Sequence, residues 1–158
     1  MSTESTPSFI TPAALLEQWQ GHRRLTRRVI DAFPEDQLFT FSIGGMRTFG
    51  VLAMELLSMA VPMLSGIVTE DWNVSFDREP RPKAEILRRW DEDTEELNTL
   101  FAQIPAERFH ETMTAFGQYT DKLHTLILYV IDNEVHHRGQ GYVYLRALGI
   151  EPPPFYER

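Results

Sequence analysis

The amino-acid sequence predicts an all-α protein folded as a four-helix bundle. Four segments, each of about 20 to 29 residues, carry apolar residues at the three- and four-residue spacing of an amphipathic helix. Prolines or glycines separate these segments, and none shows the sustained alternation of apolar and polar residues that marks a strand. A chain of 158 residues is long enough to bury one core, so we predict a single domain over residues 1–158.

The composition excludes several classes of site and partner. The sequence contains no cysteine, so it offers no disulfide, no catalytic thiol and no cysteine ligand for zinc. Its formal net charge of −8 disfavours binding to nucleic acid or to an anionic membrane. The first residues lack the basic and apolar regions of a signal peptide, and no stretch has the length and flanks of a membrane-spanning helix. We therefore expect a cytoplasmic protein.

Prolines and polar capping residues mark the predicted limits of the first two helices. Helix one is predicted to begin at Pro12, after a polar tail over residues 1–10, and to stop before Pro34. Its two Arg-Arg pairs are expected on the outer surface. Helix two is predicted from about Thr48 and is almost wholly apolar. Pro62 is expected to kink this helix or to end its regular part, because an interior proline removes a backbone hydrogen bond.

The last two helices are bounded in the same way. Helix three is predicted from Pro82 to near Pro105, with charged residues over most of its surface and a narrow apolar stripe. Helix four is predicted from Thr120 and ends before Gly149, which suits the left-handed conformation that closes many helices. The proline-rich residues 150–158 are interpreted as an extended C-terminal strap.

One charged residue interrupts the apolar second helix. Glu55 is the only charged side chain between Thr48 and Thr69. It falls on the same stripe as Leu52 and Met59, so the helical period places its carboxylate in or beside the core. An isolated buried carboxylate costs several kcal/mol, so this one must pair, take up a proton or bind a cation.

Helix four carries two polar residues on an otherwise apolar face. Asn133 and His137 lie four residues apart and can converge on one point. His136 is turned about 100° away from its neighbour and lies along the flank of the helix. Together, Glu55, Asn133 and His137 predict either a three-ligand face for a divalent ion or hydrogen bonds across the bundle without any ion.

Two longer stretches resemble a known family. The segment "HHRGQGYVYLRALGIEPPPFY" resembles the C-terminal signature of the DinB/YfiT-like metalloenzymes, and "GGMRTFGVLAMELL" is similar to the segment that leads into their second helix. The resemblance implies an up-down-down-up bundle, a homodimer, and a divalent ion (zinc, nickel, manganese or iron) held by three histidines. By that resemblance the ligand positions fall on Glu55, Asn133 and His137, and only the last keeps the histidine.

The two departures from the family pattern act in opposite directions. Glu55 keeps a ligand and adds a negative charge, whereas Asn133 weakens the site because an amide oxygen is a poor ligand for transition metals. A polar pocket that keeps the fold without the ion is therefore the alternative.

Three further polar residues of helix four, His136, Arg138 and Gln140, are candidates for a supporting role or for substrate contact. Arg138 lies four residues after a glutamate, which is typical of a surface ion pair, or it clamps a substrate anion or orders the helix end. His136 and Gln140 either orient the site or contact solvent. Gly139 and Gly141 predict close approach by another helix or by a partner subunit.

Two functional hypotheses follow. The first, which the resemblance implies, is a metal-dependent hydrolase or thiol-dependent transferase that acts on a small molecule, where the ion activates water or a thiolate. The second is a non-catalytic binding or stress-response protein, a homodimer in which the polar trio only fixes the helix register. Neither nucleic acid nor a membrane is expected as a partner, and no residue identifies the substrate.

Overall fold

The structure of the protein is a computed structural model, which describes residues 8–158. The prediction of an all-α fold with four helices is confirmed. The helices are α1 (Pro12–Ala32), α2 (Phe49–Thr69), α3 (Lys83–Phe101) and α4 (Leu123–Ala147).

A short hairpin between α3 and α4 departs from the expected pattern. A 3₁₀ turn (Ala106–His110) leads into two antiparallel strands, β1 (Thr112–Ala115) and β2 (Tyr119–Lys122). The predicted start of helix four at Thr120 is therefore wrong, because this residue belongs to β2. Every residue of β2 is exposed, so the strand carries no alternation that a sequence pattern would reveal.

Two helix ends agree with the sequence signals, and α2 does not end at Pro62. Pro12 begins α1, and the Thr11 hydroxyl accepts a hydrogen bond of 3.1 Å from the backbone N–H three residues later. Gly149 follows α4 with a φ of 76°, the left-handed conformation expected for it. The helix α2, however, continues through Pro62 to Thr69. Burial of this nearly all-apolar helix outweighs the one backbone hydrogen bond that the proline removes.

The four helices pack around two apolar clusters. Both α1 and α2 lie against α3 and α4, so α1 and α2 occupy one diagonal of the bundle. One cluster centres on Trp19 and Leu64, and the other on Trp90 and Tyr144. The helical positions between the two clusters bury polar side chains. These are Gln20, His22, Arg23, Thr26, Ser58, Glu134, His137 and Arg138.

The apolar helix α2 is a core element. Among residues 8–158, α2 is the one helix that is long and apolar enough to span a membrane, judged by length and composition alone. However, 61% of its apolar window is buried inside the bundle, as expected of a core helix. Its apolar character therefore follows from its contacts with both α3 and α4.

Arg23 is buried, so the expectation that both Arg-Arg pairs lie outside is wrong. Only 1% of Arg23 is exposed, and its guanidinium carbon stands 4.2 Å from the centroid of the Trp90 ring. Arg23 donates to the Trp90 carbonyl at 3.1 Å, and the Trp90 indole N–H donates back to the Arg23 carbonyl at 3.1 Å. A guanidinium can be buried in this way because its flat face stacks on an aromatic ring.

The two glycines of α4 have different surroundings and form a matched pair. A Cβ atom built on Gly141 would lie 2.5 Å from the Phe49 ring, whereas one on Gly139 would meet no atom of residues 8–158 within 4 Å. We expect Gly141→Ala to lower the free energy of unfolding by roughly 1–3 kcal/mol through overpacking. Gly139→Ala should raise it by up to about 1 kcal/mol, because alanine favours a helix. Urea unfolding measures both changes, and equal changes would contradict the close contact at Gly141.

Candidate functional site

Glu55 and His137 meet between α2 and α4. Glu55 Oε1 lies 3.1 Å from His137 Nε2, and the two side chains are 14% and 6% exposed. Each residue points inward from the face that the helical period assigns to it. The imidazole and the carboxylate therefore share one hydrogen bond across the bundle.

Two arginines also approach the carboxylate of Glu55. Arg47 Nη1 donates a direct hydrogen bond to Oε2, and Arg78 Nη2 lies 4.0 Å from the same oxygen. Burial alone would raise the pKa of Glu55, but the hydrogen bonds and charges of Arg47 and His137 together outweigh burial and lower this pKa. The carboxylate is therefore held in its charged form by cationic and N–H groups of the protein itself.

Arg47 is held in place through its backbone. It lies two residues before the start of α2, and its carbonyl accepts a hydrogen bond of 2.8 Å from the hydroxyl of Tyr144. Tyr144 belongs to α4 and is fully buried. This bond ties the connector before α2 to α4, and the half-exposed side chain of Arg47 then reaches Glu55.

Asn133 does not join the pair formed by Glu55 and His137. Its Nδ2 donates to the sulfur of Met59 at 3.2 Å, one turn along α2 from Glu55. The trio predicted from spacing thus forms two contacts on successive turns, Glu55 with His137 and Met59 with Asn133.

The neighbours of His137 divide into a partly buried partner and an exposed residue. Gln140 Oε1 lies 3.1 Å from His137 Nδ1, and Gln140 Nε2 lies 3.8 Å from the sulfur of Met46. Gln140 therefore orients the imidazole, as a partner on the second ring nitrogen commonly does. His136 is exposed, with its ring centroid 5.4 Å from that of His137, and it faces solvent.

Arg138 faces α1 and not solvent, so its interpretation as a surface ion pair is wrong. It is 6% exposed, and its Nη1 donates to the His22 carbonyl at 3.1 Å and to the Thr26 hydroxyl at 3.2 Å. Its Nη2 lies 3.1 Å from His22 Nδ1. These contacts fix α4 against α1, and a contact between Arg138 and a substrate anion stays a prediction.

A buried acid lies beside the same contacts. Glu134 is 2% exposed, and its Oε1 accepts a hydrogen bond of 2.6 Å from the Thr26 hydroxyl. Burial raises the pKa of Glu134, although the charges of Arg23 and Arg138 oppose the shift. Burial and the charge of Arg138 lower the pKa of His22 to about 4, so its ring is neutral at pH 7 and its Nδ1 accepts from Arg138.

A cavity of about 560 Å³ opens beside Glu55. It lies between α2, α4, the loop that follows α2, and the hairpin. Glu55 and Arg78 form a charged edge, and most of the remaining wall is apolar. The apolar and aromatic residues of this wall are Met59, Met63, Phe76, Phe116, Tyr119, Leu126 and Tyr129.

The comparisons with known proteins agree with this architecture. A sequence profile of the DinB family matches residues 1–158. The chain belongs to the DinB family. The chain is similar to a DinB-like protein from Bacillus cereus whose crystal structure is known, with 20% sequence identity and a TM-score of 0.77. The match covers 94% of this chain and 100% of that one. A DinB-like protein from Bacillus subtilis is 17% identical with a TM-score of 0.74, over 91% and 99%. These structures show the shared fold, and no curated protein sequence matches significantly.

In this DinB-family protein the donors around Glu55 do not fit a divalent metal ion. Both oxygens of Glu55 and both ring nitrogens of His137 already face protein partners. The Arg47 guanidinium takes the position beside the carboxylate that an ion needs, and Asn133 contacts a methionine. Within residues 8–158, no group of three His, Cys, Asp or Glu side chains is arranged to hold a metal.

Sequence reasoning missed the two arginines of this DinB-family site and its aromatic wall. The rule that a buried carboxylate must be paired predicts a cation near Glu55, but it does not say which one. Arg47 lies outside the helix, in the connector "GGMRT", and Arg78 lies in the long loop after α2. Neither residue shares a helical face with Glu55, so periodicity gives no signal for them.

Proposed function

We propose that this DinB-family protein binds a small organic molecule in the cavity beside Glu55 without a metal ion. The observation that carries the proposal is the cluster of Arg47, Glu55 and His137, in which N–H groups of the protein neutralise the carboxylate at the cavity edge. The cavity volume of about 560 Å³ lies within the range of small-molecule sites, roughly 300–1,000 Å³. An apolar wall with a few charged groups at one end is the usual arrangement of such sites.

Glu55 acts as a fixed anchor in this proposal. Its pKa is lowered, and each of its oxygens accepts a hydrogen bond, from Arg47 on one side and from His137 on the other. A general base works best when its pKa lies near the working pH, so the lowered pKa of Glu55 makes this carboxylate a weak base. Gln140 holds the ring of His137 from the opposite side, so the cluster is pre-organised before a ligand arrives.

The second candidate is the metal-dependent hydrolase or thiol-dependent transferase that the family resemblance implies. One observation favours it: Glu55 and His137 stand at two of the three positions assigned to ligands, and they meet at the edge of a cavity. An ion would have to displace Arg47 from the carboxylate, against the nearby charge of Arg78. A homodimer, a role in a stress response and a cytoplasmic location stay predictions with either candidate.

Metal analysis of the protein purified without a histidine tag separates the two candidates. We expect far less than one metal ion per chain, and no change in melting temperature when manganese, zinc or nickel is added, because only a ligand that binds the folded state raises it. A stoichiometric ion that Glu55→Ala and His137→Ala each abolish would contradict the metal-free proposal and support the enzyme. His136→Ala is the matched control, since this neighbouring histidine is exposed and faces away from Glu55.

A further inference from the structure

Phe116 occupies a backbone conformation that strains a bulky residue. The turn between β1 and β2 contains Phe116 with a φ of 53° and Gly117 with a φ of 67°. Positive φ at both central residues is typical of a hairpin turn that asparagine and glycine dominate. A bulky L-residue in this region costs roughly 1–2 kcal/mol. The backbone conformation alone would therefore favour asparagine or glycine at this position.

The ring of Phe116 explains why a phenylalanine is compatible with this turn. It lines the cavity and packs edge-on against Trp72, with ring centroids 5.1 Å apart. It also contacts Phe76 at 5.7 Å, and Trp72 in turn lies directly against Gly66 of α2. Backbone strain of this kind persists where the surroundings hold it, most often at binding sites. The strained turn thus fixes an aromatic ring in the cavity wall.

Further aromatic rings around the cavity remain open to solvent. Tyr119 and Tyr129 both line it, and their rings lie nearly parallel, with centroids 6.0 Å apart and an interplanar angle of 27°. They are 50% and 51% exposed, and Phe76 is 47% exposed. A flat ligand that enters the cavity would bury this apolar surface and gain the ring contacts that aromatic pairs prefer.

The charges at the cavity edge leave one cationic group for a ligand. Arg78 is the arginine that lines the cavity, and its nearest carboxylate, 4.0 Å away, already accepts a direct hydrogen bond from Arg47. Asp121 also lines the cavity, but it is exposed and accepts a hydrogen bond of 2.7 Å from the next backbone N–H. The planar donors of Arg78 match a carboxylate, with which arginine forms paired, charge-assisted hydrogen bonds.

We infer that the cavity takes an aromatic organic anion, with its ring against Phe116 and the neighbouring aromatic side chains and its carboxylate on Arg78. This inference rests on the proposed small-molecule function of the same site. It adds the chemical class of the ligand.

Three probes that share a naphthalene ring and carry an anionic, a neutral or a cationic substituent test the inference. Isothermal titration calorimetry at low salt would compare naphthalene-2-carboxylate, the neutral 2-carboxamide and the cationic 2-methylammonium. We expect the carboxylate to bind roughly tenfold or more tightly than the carboxamide, the gain of a charge-assisted pair. Arg78→Gln should remove this preference and leave the affinity for the carboxamide unchanged. Arg81→Gln is the control, because this nearby exposed arginine pairs with Asp77.

Phe116→Asn tests the aromatic wall separately. Asparagine suits the left-handed turn, so relief of strain offsets the lost ring contacts and we expect little net change in melting temperature. Affinity for all three probes should fall by roughly tenfold, because the contact between the Phe116 ring and the naphthalene ring is removed. Equal affinity for the three probes, a preference that survives Arg78→Gln, or no binding to the unaltered protein would overturn the inference. The metal analysis of the purified protein tests separately whether the site works without a metal ion, as the proposed function requires.

Discussion

Arg138→Ala is expected to lower the free energy of unfolding by roughly 3–5 kcal/mol, the loss seen when one partner of a buried charged network is removed. Arg138 is 6% exposed and hydrogen-bonded to the carbonyl and ring of His22 and to the hydroxyl of Thr26. Without the guanidinium the His22 ring nitrogen and the Thr26 hydroxyl oxygen lose their donor, while the His22 carbonyl keeps only its bond from Thr26. The carboxyl of Glu134 also loses a neighbouring cation. A surface ion pair at the same helical spacing would contribute only a few tenths of a kcal/mol.

The loss should also depend on pH, and its sign follows from two pKa values. Burial already raises the pKa of Glu134, and Arg138 opposes that shift, so removing the arginine makes the ionised acid less favourable at pH 7. Arg138 also lowers the pKa of His22, which lies at about 4, so its removal makes protonation of the folded state easier in acid. Both changes favour the variant as pH falls. The loss of stability should therefore be smaller near pH 4 than at pH 7.

Thermal and urea unfolding of the variant at both pH values measure these effects. For a domain of this length the loss at pH 7 corresponds to a fall in melting temperature of roughly 6–20 °C. Arg146→Ala is the matched control, because Arg146 lies in the last turn of the same helix and is exposed. Its effect should stay within about 0.5 kcal/mol. Equal losses in the two variants would mean that Arg138 does not form the buried contacts with α1.

The comparison of Arg138 with Glu55 shows which parts of this protein are predictable from sequence. Glu55 interrupts a helix that is otherwise apolar, so its position alone shows that it points inward. Arg138 stands in a mixed sequence, four residues after Glu134, and that spacing is the same on an exposed face and on a face covered by α1. Periodicity gives the direction of a side chain from its own helix axis. It does not say which neighbouring helix covers that direction, so buried polar contacts between helices were missed.

The cavity wall was unpredictable for a different reason. Phe76 lies in the long loop after α2, and Phe116 and Tyr119 lie in the hairpin, so the wall joins segments that are far apart in sequence. Strands of four residues are too short for a period to appear. The fold, by contrast, followed from long amphipathic segments with clear ends at Pro12 and Gly149. Long regular elements carry redundant signals, whereas a site built from loops depends on contacts that no local pattern encodes.

Glu55→His combined with Asn133→His should create a metal site in a protein that, as we propose, lacks one. The two substitutions and His137 would restore the three histidines that the family resemblance assigns to these positions. Removing Glu55 also releases Arg47, whose side chain is 43% exposed and can turn into solvent at little cost. If the new site binds nickel or zinc with a Kd of about 1 μM, about 100 μM of the ion stabilises the fold by about 2.7 kcal/mol. The melting temperature should then rise by roughly 5–11 °C.

A series of variants shows whether the three positions converge. Asn133→His alone leaves the bond between Arg47 and Glu55 intact, so an added ion must compete with the guanidinium and should raise the melting temperature less. Adding His137→Ala to the double variant removes the third ligand and should abolish the response, which serves as the control for adventitious binding. A double variant that folds, as judged by circular dichroism, but ignores both ions would mean that Asn133 and Glu55 are too far apart to share one ion. A response of equal size in the unaltered protein would show that a carboxylate, an amide and one imidazole hold the ion despite Arg47, and the metal-dependent candidate would then replace the metal-free one.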